Sequence, residues 1–205
     1  MTKTSYAIPA TEHQIEIEIN KSKFIAIANH AANKSTADLL IKTIRAQHPT
    51  ANHVCWAFIA SSPTSTIRSM SDDGEPSGTA GKPMLAVLEH SGLGEICVCV
   101  VRYFGGVKLG KGGLQRAYSG AVSQVLKDLP HTTYEPSISA TCEFAYEYDN
   151  HIQKLLQQFS VKMISQDFTA SILLTIDIPL KHKTAFYDAV INATAGAASI
   201  TFADI

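Results

Sequence analysis

From Glu95 to Leu129 the chain passes from an unbroken apolar strand, through a glycine-dense connection, into a helix. This order constrains the fold more than any other feature. EICVCVVRYF has no polar alternation, so it reads as a strand buried in a sheet. GGVKLGKGG follows it. From Gly113 onward, Leu114, Ala117, Ala121, Val122, Val125, Leu126 and Leu129 recur at helical spacing, and Pro130 ends the run. Consecutive glycines let backbone N–H groups share one concavity, and a helix start adds partial positive charge, so an anion site is physically reasonable here. The first seven residues fit the nucleotide-binding pattern G-x-x-x-x-G-K. The eighth is Gly112 where magnesium needs Ser or Thr, and no apolar strand offers the second acid. Nucleotide hydrolysis is therefore disfavoured. An anion-binding loop and plain tight-turn architecture both stay open.

Charge around the connection favours the anion. Between Lys82 and Lys127 the cations Lys82, Arg102, Lys108, Lys111, Arg116 and Lys127 are set against only Glu89 and Glu95. Arg102 precedes the loop and Arg116 lies one turn into the helix, so both are placed to reach a phosphate. The candidate anion- or nucleic-acid-binding residues are Lys82, Arg102, Gly105, Gly106, Lys108, Lys111, Gly112, Gly113 and Arg116. Tyr103 and Phe104 flank the loop, where an exposed ring would stack on a base.

Upstream, SDDGEPSGTAG is too rich in glycine and acid for regular structure. Asp72, Asp73 and Glu75 repel one another unless helix N-termini, basic side chains or a cation offset them. Capping of the helix that opens at Lys82-Pro83, or pairing with Arg102 or Lys82, answers this without a metal. D-D-G-E matches no calcium loop, and the scattered histidines form no metal cluster. His53 and Cys55 share one face of the strand HVCWAFIAS. An enzymatic alternative uses His53, Asp72, Asp73 and Glu75 as acid–base groups with Arg102 as anion anchor, in a hydrolase of a small phosphorylated or peptide substrate.

The rest of the first half supplies strands at HQIEIEIN, KFIAIA and TIRSM, and a helix capped by Ser35 or Thr36 and stopped by Pro49. Beyond a linker in LPHTTYEP the second half reads β-α-β-β-α-β, with a helix capped by Asp149 and another from about Leu180 to Thr194. That order is the split pattern of a ferredoxin-like sandwich. The expected domains are residues 1–131 and 132–205. Net charge is −1 overall, but residues 1–133 carry +3 and residues 134–205 carry −4. The asymmetry points to two modules with different partners, is far from the strongly basic balance of a dedicated DNA binder, and leaves the second module as a spacer or a protein-binding face. Hydrophobic residues are 45% of the chain, enough for a core. No apolar run reaches membrane-spanning length, and no signal core opens the sequence. Cys55, Cys97, Cys99 and Cys142 form no Cys-x-x-Cys pair and suit reduced, buried thiols. A cytoplasmic location is expected.

SDDGEPSGTAGKPML (Ser71–Leu85), followed by VRYFGGVKLGKGGLQRAYS (Val101–Ser119), resembles the IMPACT family, in particular its bacterial YigZ branch. HVCWAF stands where that family has a His-x-Cys strand. The resemblance implies an α+β protein. Its first module would have the split β-α-β fold of ribosomal proteins and of elongation factor G domain IV. Its second would be ferredoxin-like and similar to domain V of that factor. Eukaryotic members of the family regulate translation under stress by competing for an activator of an initiation-factor kinase. Here the IMPACT module starts almost at residue 1, so that kinase-pathway role is not expected to carry over. The expectation is a non-enzymatic translation regulator that binds RNA or a ribosomal complex, with no cofactor, no metal and no membrane partner.

Overall fold

The computed structural model describes residues 5–203. The chain divides into two units, Tyr6–Tyr134 and a second built from Glu135 onward.

In the first unit the apolar run becomes β6 (Ile96–Tyr103), the central strand of a five-stranded antiparallel sheet. Its neighbours are β3 (Ser22–His30) and β4 (His53–Ile59), with β2 (His13–Ile19) and β5 (Arg68–Ser71) at the edges. β3 and β4 are joined through helix α1 (Lys34–Gln47) and lie on either side of β6, a split β-α-β unit. Helices cover both faces, which is why β6 shows no alternation although every pairing is antiparallel. On one face Ile27, Val54, Phe58, Cys97, Cys99 and Val101 pack against Ala37, Ile41 and Ile44 of α1. On the other, Phe24, Ala26, Cys55, Ala57, Val98 and Val100 meet α2 (Gly81–Ser91) and α3 (Gly110–Lys127). Phe24, Phe58 and Tyr118 are fully buried, each contributing about 1.5–3 kcal/mol of apolar transfer. Edge strand β2 keeps its alternation, with Ile15, Ile17 and Ile19 packed against the second core.

Several local expectations need correction. Helix α3 begins at Gly110, not Gly113, so half of the glycine connection is helical. Its first N–H groups have no intrahelical partner in any case, which makes glycine there less costly than mid-helix. Asn33 caps α1, accepting from the Thr36 N–H at 2.9 Å; Ser35 and Thr36 lie inside the helix. Two strands go beyond those expected, one of them in the expected linker: β1 (Tyr6–Pro9) pairs with β7 (His131–Tyr134). That pairing ties residues 132–134 to the first unit and moves the division from 131/132 to 134/135.

The second unit runs β8 (Ser137–Phe144), α4 (Asp149–Gln158), β9 (Lys162–Phe168), β10 (Ile172–Pro179), α5 (Lys183–Ala193) and β11 (Ser199–Phe202). It is the expected β-α-β-β-α-β order, in an antiparallel sheet ordered β11-β8-β10-β9. Inward residues Ile138, Ala140, Cys142, Phe144, Leu174 and Ile176 meet Ile152, Leu156, Phe186 and Val190 of the helices. Asp149 is the first residue of α4 and binds the Gln153 amide; it does not cap the helix. A 3-10 turn at Leu180–His182 precedes α5.

Candidate functional site

The acid loop solves its own repulsion with three separate partners. Asp72 closes the amino end of α2, whose flanking residue Ala80 has no capping side chain. Its carboxylate accepts from the N–H groups of Ala80 at 2.9 Å, Gly81 at 2.8 Å and Gly78 at 2.8 Å. Burial opposes ionisation of Asp72, but these three donors prevail and hold its pKa below the usual carboxylate value. Asp73 accepts from Arg45 at 2.8 Å and from the Val54 N–H at 2.6 Å. Burial again opposes ionisation, and the Arg45 and Val54 bonds outweigh it. Asp72 and Asp73 are therefore structural, and Lys82 is exposed in the first turn of α2, bound to neither.

Glu75 turns inward. Arg102 Nη1 donates to Glu75 Oε1 at 2.6 Å, and the Tyr118 hydroxyl donates to the same oxygen at 2.7 Å. Sheet register builds this cluster: Arg102 on β6 lies opposite Phe24 on β3 and His53 on β4. His53 Nε2 stands 3.9 Å from Glu75 Oε1, outside hydrogen-bond reach, while Nδ1 lies 2.8 Å from the Asp73 carbonyl. Cys55 donates to the Asp72 carbonyl at 3.0 Å, and burial pushes its thiol up to about 12. Its thiolate form is scarce at neutral pH. Of the four enzymatic candidates, His53 meets Asp73 only through the backbone carbonyl, and its nearest carboxylate contact among them is Glu75 at 3.9 Å. Among the described residues no group of three or more His, Cys, Asp or Glu is placed to hold a metal ion.

Arg102 corrects a second expectation. It is only 5% exposed, with Nη1 on Glu75 and Nη2 3.3 Å from Ser22 Oγ. Its charge is largely spent inside the protein. Gly105 is likewise committed. Its N–H donates to Ser22 Oγ at 3.2 Å, and an added Cβ would fall 1.8 Å from the Lys21 carbonyl oxygen. Glycine is required there by close packing. Sequence reasoning overlooked Ser22, Asn52 and Tyr118. Tyr118 carried a signal, since it falls on the buried face of α3 and a buried phenol needs a partner. Ser22, just after the polar pair Asn20-Lys21 at the start of β3, carried none.

The remaining cations stay outside. Gly106, Lys108, Lys111, Gly112 and Arg116 are exposed around the start of α3, and Gly113 is half-buried against Leu109. No side chain caps this helix and its first turn holds no acid. Arg116 folds back, its Nη1 3.7 Å from where a Cβ on Gly112 would stand. None of Lys108, Lys111 and Arg116 has an acidic partner among the described residues. Beside them opens a pocket of about 380 Å³, walled by Glu75, Arg102, Phe104, Lys108, Gly110 and Lys111 among others. Uncapped N–H groups, the positive helix end and three free cations can hold an anion.

The Impact N-terminal domain matches residues 20–126, the region of the split β-α-β sheet and its cationic rim. This chain belongs to the IMPACT family. It is similar to IMPACT family member YigZ of Escherichia coli (strain K12), at 43% identity over 176 residues, 85% of this chain and 86% of that protein. It is 38% identical over 201 residues to an IMPACT family member of Haemophilus influenzae, covering 98% of each. A solved structure described as a hypothetical protein aligns with a TM-score of 0.74 at 39% identity, over 98% of this chain and 97% of that one. Residues 146–197 match a domain of unknown function, DUF1949. No helix among the described residues is long and apolar enough to cross a membrane.

Proposed function

We propose that this protein is a non-enzymatic regulator of translation, acting in the cytoplasm, that binds RNA or a ribosome-associated complex at the amino end of α3. The observation that carries this reading is the uncapped first turn of α3 beside Lys108, Lys111 and Arg116, none of them neutralised by an acid among the described residues. Phosphate is the anion such a group of donors and cations fits best. Arg102 lines the pocket and Gly105 packs beside the hairpin, while Lys108, Gly110 and Lys111 line its edge and Gly106, Gly112, Gly113 and Arg116 lie next to it around the start of α3. The finer fold reading accompanies this function: likeness of the first unit to domain IV, and of the second to domain V, of elongation factor G. The split β-α-β sheet and the β11-β8-β10-β9 order support it. The acidic second unit is then a face for a protein partner, and a role under stress is part of the same proposal.

The hydrolase alternative is weaker. Asp72 and Asp73 are taken up by backbone and Arg45, and Oε1 of Glu75 is shared by two donors. A filter-binding titration with RNA, repeated with ribosomes, tests the proposal. Retention at low salt is expected, with affinity for single strands falling on a log–log slope of roughly −2 for three phosphate contacts. Absence of retention of both at low salt would overturn it.

A further inference from the structure

Phe104 is 45% exposed, and the backbone that carries it is anchored. Its N–H donates to Asn52 Oδ1 at 2.8 Å, and the next N–H, of Gly105, is held by Ser22. The Arg102 guanidinium lies 5.4 Å from the Phe104 ring centroid and 5.4 Å from that of Phe24. Phe24, Arg102 and Phe104 thus form a stack that begins in the core and ends at the surface. Tyr103, the other ring flanking the loop, is engaged with His48 at 2.9 Å. Phe104 also walls the pocket that Lys108, Gly110 and Lys111 line. In that wall Arg102 Nε is buried and has no hydrogen-bond partner among the described residues. Two kinds of recognition group therefore meet in one pocket: an aromatic ring backed by a cation, and a helix end rimmed with lysines.

We infer that the pocket takes an unpaired nucleotide, its base stacked on Phe104 and its phosphate at the amino end of α3. This rests on the nucleic-acid reading above and sharpens it to single strands. Inside a duplex both faces of a base are covered by neighbours, so Phe104 has nothing to stack on unless the strand opens. A single-stranded loop or end offers the free face, and stacking tolerates any base. Glu75, which also lines the pocket, is neutralised by Arg102, so the floor does not repel phosphate.

Fluorescence anisotropy with a short single-stranded RNA of mixed sequence, and with the same strand in a perfect duplex, tests the inference. Wild-type protein is expected to prefer the single strand. Phe104→Leu keeps the bulk and loses the aromatic face. It should weaken single-strand binding by about 5- to 100-fold and leave duplex binding unchanged, while Phe104→Tyr retains both. Lys108→Gln with Lys111→Gln should weaken both ligands. Equal affinity for the two RNAs, or an unchanged single-strand affinity in Phe104→Leu, overturns the stacking site and leaves phosphate binding intact. If wild-type protein binds neither RNA nor ribosomes at low salt, both proposals fall.

Discussion

Arg102 Nη1 and Glu75 Oε1 lie 2.6 Å apart, with both residues less than a tenth exposed. They couple the acid loop to the central strand. Removing one partner of such a pair strands a charge, at a cost of about 3–5 kcal/mol. Arg102→Met is therefore expected to lower unfolding free energy by that amount in urea titration. Adding Glu75→Gln removes the stranded charge and still accepts from Tyr118. The double variant should recover at least half of the loss, and a double variant as unstable as the single would show that the pair is not what matters.

Asp72 makes stability depend on acid. Its folded pKa is depressed despite burial because three backbone N–H groups bind the carboxylate. A depressed acid stabilises above its unfolded value of about 3.9, and that contribution is lost as pH falls through the folded value. Asp72→Asn keeps an acceptor for Ala80 and Gly81 but sets an amide NH2 against the Gly78 N–H, and should cost about 1–2 kcal/mol at pH 7, in the range of a lost hydrogen bond to a charged group. The gap between the two proteins should then narrow steadily below about pH 4. Parallel thermal melts from pH 7 to pH 3 give the measurement, and a gap that widens in acid would contradict the assignment.

Cys55, Cys97, Cys99 and Cys142 are all buried. Burial pushes Cys55 and Cys142 each up to about 12, so almost no thiolate exists at neutral pH. A disulfide-exchange reagent should label the native protein only at the rate of unfolding, and label all four thiols quickly in denaturant. Fast native reaction at Cys55 would reopen nucleophilic catalysis beside His53.

Period and punctuation made much of this fold readable. The isoleucines of β2, the unbroken β6 and the stripe of α3 each announce which faces are covered. The β1–β7 pair did not show, because two four-residue strands more than a hundred positions apart carry no periodicity of their own. At the site, the sequence placed Arg102, Glu75 and His53 within one cluster but not the direction of Arg102. That direction depends on which helices cover which face: Arg102 shares the face of Val98 and Val100, the one under α2 and α3, and so meets Phe24, Tyr118 and Glu75. Lys108 and Lys111 follow the strand and escape this constraint, so their exposure matched a simple reading of charge.

The glycines of the connection should respond to alanine in opposite directions. Asn20 and Lys21, both at positive φ, turn β2 into β3, and this hairpin presses the Lys21 carbonyl against Gly105. In Gly105→Ala the new Cβ would sit 1.8 Å from that oxygen and 2.6 Å from the Ser22 nitrogen. Both obstacles are backbone, so the hairpin must shift, and Ser22 would lose its hold on Gly105 and Arg102 together. A loss of about 3 kcal/mol is expected, the upper end of ordinary overpacking. Gly112 lies inside α3, where a Cβ meets only the flexible end of Arg116 at 3.7 Å. Gly112→Ala should stabilise by up to about 1 kcal/mol through helix propensity. Urea midpoints of the two variants decide the matter: a tolerated Gly105→Ala would mean that the hairpin does not pin the start of the cationic loop.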